Sequence, residues 1–190
     1  YKVEFHSHDT RTPAVIYEDR SVTVSTLPLK HRIDCCGFLF REKPTPNHIL
    51  RDMIDFYEVP TYAINRIKNG EDYVLPDGTV VPNGRLTRPS DPPRSYAYCS
   101  DTIYLPELAG LVHGVDLLYH EATLPTASRT SQRDVPHHRC PAARLAKDAE
   151  VKQLVIGHYS ARYEDENILL QEAREVFPST LPPRTNLCIA

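Results

Sequence analysis

Three absences bound what this 190-residue chain can do. Its formal net charge is only −3, so no global basic field advertises nucleic acid, and any such contact must rest on a local patch. Its five cysteines, Cys35, Cys36, Cys99, Cys140 and Cys188, form no C-x-x-C pair and are odd in number. That argues against the disulfide framework of a small secreted domain and for a reducing cytoplasm. No apolar run approaches the roughly 20 residues a membrane helix needs, so no membrane partner is expected. Signal-peptide pattern, internal repeat and low-complexity segment are lacking too. The chain starts at Tyr1, in what reads as mid-strand and without an initiator methionine, so a piece whose beginning lies elsewhere is expected.

What is present is globular. Hydrophobic residues at 41% and charged residues at 25% are ordinary proportions, and the length suits one domain with a real core. Seventeen prolines predict many fixed turns and few long helices. Runs rich in β-branched and aromatic residues predict strands at YKVEF (1–5), AVIYE (14–18), SVTVSTLPL (21–29) and CCGFLF (35–40). Ile49, Met53, Ile54 and Tyr57 then recur at helical spacing behind Asn47, a reasonable N-cap. TYAINRIKNG (61–70) predicts a short helix stopped by Gly70. YVLPDGTVVPNG (73–84) reads as a hairpin with Asp77-Gly78 at its tip, and RLTRPSDPPR (85–94) as a proline-rich connector.

The second half alternates. SYAYCSD (95–101), VDLLYHEAT (115–123), KQLVIGHYS (152–160) and TNLCIA (185–190) predict strands. Between them LPELAGLVHG (105–114), PAARLAKDAE (141–150) and ENILLQEAREVF (166–177) predict helices. Short apolar strands alternating with helices mean an α/β fold with a largely parallel sheet. In such sheets ligands bind beyond the carboxyl ends of the strands. Those ends deliver Asp101, His120 with Glu121, and His158, while the strand at 21–29 ends just before His31. Singly each has a bland reading: Asp101 could cap the helix that follows, Glu121 could be a structural ion-pair partner, and His31 could lie in a solvated turn. Together, ionisable residues on one edge are what a His/Asp metal site requires. Nine histidines are a generous supply. His6, His8 and Asp9 of FHSHDT also suggest a metal pair, but the spacing suits a polar strand end entering a turn.

At these residues the sequence resembles the ribonuclease Z (transfer-RNA 3′-processing endonuclease) family of the metallo-β-lactamase fold. The matching pieces are PLKHR (28–32), SDT (100–102), HEAT (120–123) and GHYSARY (157–163), and NRIKNGEDYVLPDGTVV (65–81) resembles the family's projecting arm. The resemblance spans essentially the whole chain. It implies the second half of a metallo-β-lactamase-like αββα sandwich: a single partial domain over 1–190, with an arm insertion at about 42–90 that grips transfer RNA. It further implies a zinc-dependent endoribonuclease that removes the 3′ trailer of precursor tRNA by phosphodiester hydrolysis. Two zinc ions are expected in the complete enzyme, which would form a cytoplasmic homodimer. His31 and His158 would ligate one zinc each, with Asp101 bridging them. Glu121 would pair with a loop histidine that helps protonate the leaving group, while His120 stays structural. In the arm, Arg66, Lys68 and Arg85 would contact phosphates.

Three departures qualify these implications. Where the family has its loop histidine, this chain reads VPHHRCPAARLA (135–146), so His137 or, slightly favoured, His138 must serve. The arm reads VPTYAIN (59–65) in place of a Gly-Pro element. The family's His-x-His-x-Asp-His motif lies well upstream of PLKHR, and FHSHDT does not replace it. The chain is therefore expected to be the carboxyl-terminal part of such an enzyme, inactive until the missing amino-terminal part joins it. The rival expectation is a catalytically incomplete RNA-binding or dimerisation module of the same fold.

Overall fold

The computed structural model describes residues 2–121, 140–157 and 166–182, with Glu166 described by its backbone alone. The chain divides into two compact units, 1–42 with 94–190, and 43–93.

The larger unit is built on one seven-stranded mixed sheet. Its strands are β1 (Val15–Glu18), β2 (Val22–Pro28), β3 (Cys36–Glu42), β8 (Ser95–Cys99), β9 (Leu117–Glu121), β10 (Gln153–Gly157) and β11 (Thr180–Leu181), the last four numbered after the smaller unit's elements. The spatial order is β1-β2-β3-β8-β9-β10-β11. The first four strands pair antiparallel and β8 to β11 pair parallel. Antiparallel pairing on both sides of β3 makes β2 run with β8, so the carboxyl ends of β2, β8, β9 and β10 share one rim.

Alternation sorts the side chains onto two faces. Leu27, Leu39, Ala97, Leu118, Leu154 and Ile156 pack in one core with helices α4 (Pro106–Leu111), α5 (Pro141–Asp148) and α6 (Glu166–Val176). Burial of each such leucine or isoleucine is worth about 1.5–3 kcal/mol. From α5 come Ala142, Ala143, Leu145 and Ala146, small residues that bring the helix close to the sheet. The opposite face carries Phe38, Phe40, Tyr96, Tyr98 and Tyr119, with Phe40 stacked on Tyr96 and Tyr98 on Tyr119. No described helix covers it, and Phe40 and Tyr98 are exposed. One sheet with one helical layer is half of the expected sandwich.

The smaller unit has its own core of Ile54, Val59, Ala63, Ile67, Val81 and Leu86. It contains β4 (His48–Ile49), α1 (Arg51–Phe56), α2 (Thr61–Lys68), β5 (Tyr73–Val74), β6 (Val80–Val81), α3 (Asn83–Leu86) and β7 (Thr87–Arg88). The 73–81 hairpin forms, with Gly78 at φ +85° in its turn. Gly70 is likewise left-handed after α2. Asn83 ties the unit together: its Nδ2 donates to the carbonyls of Ile67 (2.6 Å) and Glu71 (2.8 Å), and its Oδ1 accepts from Thr87.

The structure corrects three local expectations. YKVEF is no strand: residues 2–9 pair with nothing regular, and Phe5 is 95% exposed, because no neighbouring strand offers its ladder. Asn47 does not cap a helix, because His48–Ile49 pairs with Thr87–Arg88 and α1 starts only after Leu50. That pairing also turns part of the expected 85–94 connector into α3 and β7. TNLCIA lies outside the described residues, and β11, which was not foreseen, pairs with β10.

Candidate functional site

Three segments meet at the rim: the loop between β2 and β3, the turn after β8, and the end of β9. His31 lies exposed in the first. Asp101, also exposed, follows β8 with φ +57°, the left-handed region that costs a non-glycine residue energy. Glu121 ends β9 half-buried. His120, beside it, points into the helix-side core.

Hydrogen bonds join the segments. The Thr102 amide donates to Glu121 Oε1 at 2.8 Å. The Lys30 amide donates to Thr102 Oγ1 at 3.2 Å, and the Ile103 amide returns to the Lys30 carbonyl at 3.2 Å. The Cys35 thiol donates to the Asp101 carbonyl at 3.6 Å. Burial, then the nearby Asp101 carboxylate, then Cys36, Asp34 and Glu121 push the Cys35 thiol above its ordinary pKa. Cys35 therefore sits in the field of both candidate carboxylates. Neither Thr102 nor Cys35 was singled out from sequence: a buried threonine after an aspartate has no periodic signature, and Cys35 reads as a strand hydrophobe.

Helix α4 begins at Pro106 with Leu105 as N-cap and no side-chain cap bond, so Asp101 is not its cap. His120 is 2% exposed, and its Nδ1 lies 2.8 Å from the Glu121 carbonyl. Its Nε2 has no hydrogen-bond partner among the described residues, and burial lowers its pKa, which favours the neutral ring. This agrees with a structural role. His137, His138 and His158 lie outside the described residues.

Hydrogen bonds thus join the segments that carry His31, Asp101 and Glu121, residue types that can ligate cations. Zinc takes three or four protein donors. Among the described residues no group of three or more His, Cys, Asp or Glu side chains could hold a metal ion. Those residues alone do not fit zinc, and a complete set needs donors from outside them. His6 and His8 are exposed and belong to no such group.

In the smaller unit, Arg66 Nε donates to Glu71 Oε2 at 2.7 Å, and Arg85 Nη1 donates to the Tyr57 hydroxyl at 3.2 Å. Lys68 ends α2, half-buried. Acidic residues slightly outnumber basic ones across 43–93.

No family model matches the chain. Curated proteins do match. A ribonuclease Z of Bacteroides fragilis is 62% identical over 191 residues, covering 100% of this chain and 63% of the relative. A ribonuclease Z of Bacteroides thetaiotaomicron is 60% identical over 190 residues, covering 100% of this chain and 60% of the relative. Among solved structures, a metallo-beta-lactamase fold protein from Bacillus subtilis aligns at TM-score 0.47 and 14% identity, over 92% of this chain and 49% of that one. The chain is, along its whole length, a relative of proteins named ribonuclease Z, and it spans somewhat less than two thirds of theirs.

Proposed function

We propose that this chain is the carboxyl-terminal part of a metal-dependent endoribonuclease that removes the 3′ trailer of precursor tRNA. The observation that supports it most is the pair of hydrogen bonds through Thr102 that joins the loop before His31 and the turn after Asp101 to Glu121, in a chain 62% identical throughout to a ribonuclease Z. Zinc is the expected metal. His31, Asp101 and His158 are its candidate ligands, and donors from the amino-terminal remainder complete the set. When bound, the metal supplies an activated water and charge neutralisation at the phosphodiester. Glu121 would partner His138 or His137 in handling the leaving-group proton. The 43–93 unit is the candidate arm, with Lys68 and Arg85 as its phosphate contacts. Arg66, already held by Glu71, contributes less. The complete protein is expected to be a cytoplasmic homodimer.

The aromatic face of the sheet fits this reading. Phe40, Tyr96, Tyr98 and Tyr119 are covered by no described helix, and the relatives are longer by more than a third of their length. We assign that face to the amino-terminal remainder. The test mixes this chain with the separately made remainder of the Bacteroides fragilis relative and zinc, and follows cleavage of a precursor tRNA. Cleavage by the mixture, and by neither half alone, is expected. A folded, zinc-loaded complex that binds the RNA without cutting it would overturn the nuclease reading in favour of a binding module.

A further inference from the structure

We propose that Thr102 is the positioning residue of this rim, fastening the loops that carry His31 and Asp101 to the end of β9. It is 3% exposed, although Asp101 and Ile103 on either side are exposed. Its amide and its hydroxyl are used across the rim and in its own turn. The amide donates to Glu121 Oε1 at 2.8 Å, and Oγ1 accepts from the Lys30 amide at 3.2 Å while donating to the Ile103 carbonyl at 3.0 Å. A hydroxyl can both accept and donate, and here it does both. The Ile103 amide closes the ring by donating to the Lys30 carbonyl. Segments more than 70 residues apart in sequence are thereby held in register one residue from His31 and one from Asp101.

The geometry explains the left-handed Asp101. A non-glycine residue persists at φ +57° only where its surroundings over-determine it. Thr102 anchors the peptide after Asp101, and the Cys35 thiol holds the Asp101 carbonyl. Valine at 102 would keep the volume and remove the hydroxyl; serine would keep the hydroxyl and lose a methyl group.

The test has an arm that needs neither metal nor RNA. Amide hydrogen exchange is measured on the chain as wild type, Thr102→Val and Thr102→Ser. The wild-type Lys30 and Ile103 amides are expected to be protected at least 10-fold over an open loop. Thr102→Val should remove most of the Lys30 protection, and Thr102→Ser should stay within about threefold of wild type. An unprotected Lys30 amide in the wild type overturns the proposal whether or not the valine variant folds. Equal loss in the serine and valine variants overturns it too. The second arm rests on the nuclease reading: in the reconstituted mixture Thr102→Val should lower kcat more than it raises KM, with serine rescuing. Protection that behaves as expected while the mixture never cleaves would refute the nuclease reading and leave the fastening intact.

Discussion

Replacing Glu121 with glutamine and with alanine separates an acceptor from a charge. Its Oε1 receives the amide of Thr102, a residue 3% exposed. Alanine leaves that donor without its partner, which costs about 1–3 kcal/mol for a buried group. Glutamine still offers an oxygen at the same reach and forfeits the charge assistance on that bond, about 1 kcal/mol or less. Urea unfolding of the chain should therefore place Glu121→Ala well below wild type and Glu121→Gln near it. Equal losses, or an alanine variant as stable as wild type, would refute the reasoning. Cleavage gives the complementary reading. If Glu121 also partners a loop histidine in proton handling, glutamine should suppress cleavage by the reconstituted protein while leaving stability almost untouched.

Other outcomes follow from the same geometry. A Cβ added at Gly37 would collide with the Tyr98 backbone carbonyl and press Leu29 Cδ1 at 3.3 Å. Because a paired strand cannot rotate away, Gly37→Ala should cost about 1–3 kcal/mol in urea unfolding. The Asp116 carboxyl is opposed by burial, yet hydrogen bonds from Lys152 and Ser95 hold its pKa below the ordinary value. A folded pKa depressed in this way gives stability that is present above the unfolded pKa and lost as pH falls through the folded one. Asp116→Asn should accordingly be destabilised by about 1 kcal/mol at pH 7, with the gap closing in acid when unfolding is followed from pH 7 to pH 2. In the arm, Arg66→Ala should weaken precursor-tRNA binding less than Arg85→Ala, because Arg66 already spends its Nε on Glu71. Filter binding at two salt concentrations checks this.

Much of the larger unit was legible because its signals are periodic. AVIYE, SVTVSTLPL, SYAYCSD and KQLVIGHYS carry β-branched and aromatic runs that became β1, β2, β8 and β10. That β8, β9 and β10 end on one side of the sheet was legible from position alone, because consecutive βα units make parallel strands. What failed was local preference where tertiary pairing decides. YKVEF has strand composition but no neighbour, whereas Thr87–Arg88, in a proline-rich stretch, gains one in His48–Ile49. Thr102 and Cys35 were illegible for another reason. Their roles rest on hydrogen bonds to Lys30 and Asp101, partners that 66 or more residues of sequence separate, and no spacing rule encodes such a pair.

Two features of the larger unit belong to one argument. Donors at the rim stop short of a metal group among the described residues, and the sheet face beside Glu121 keeps stacked tyrosines where a second layer would lie. A sheet that evolved to meet water on this face would alternate polar side chains there; this one places Phe38, Phe40, Tyr96, Tyr98, Leu117 and Tyr119 on it. Burial already raises Tyr96 to about 12 and shifts Tyr119 upward, the direction expected of hydroxyls in a poorly solvated surface. Gly157 belongs to the same face. A Cβ there would run into the Tyr119 ring and hydroxyl, so glycine is what lets that ring lie flat at the end of β10. If the segment by which the relatives are longer settles on these rings, it arrives beside the rim that needs its donors. Docking of that segment and completion of the proposed site would then be a single event.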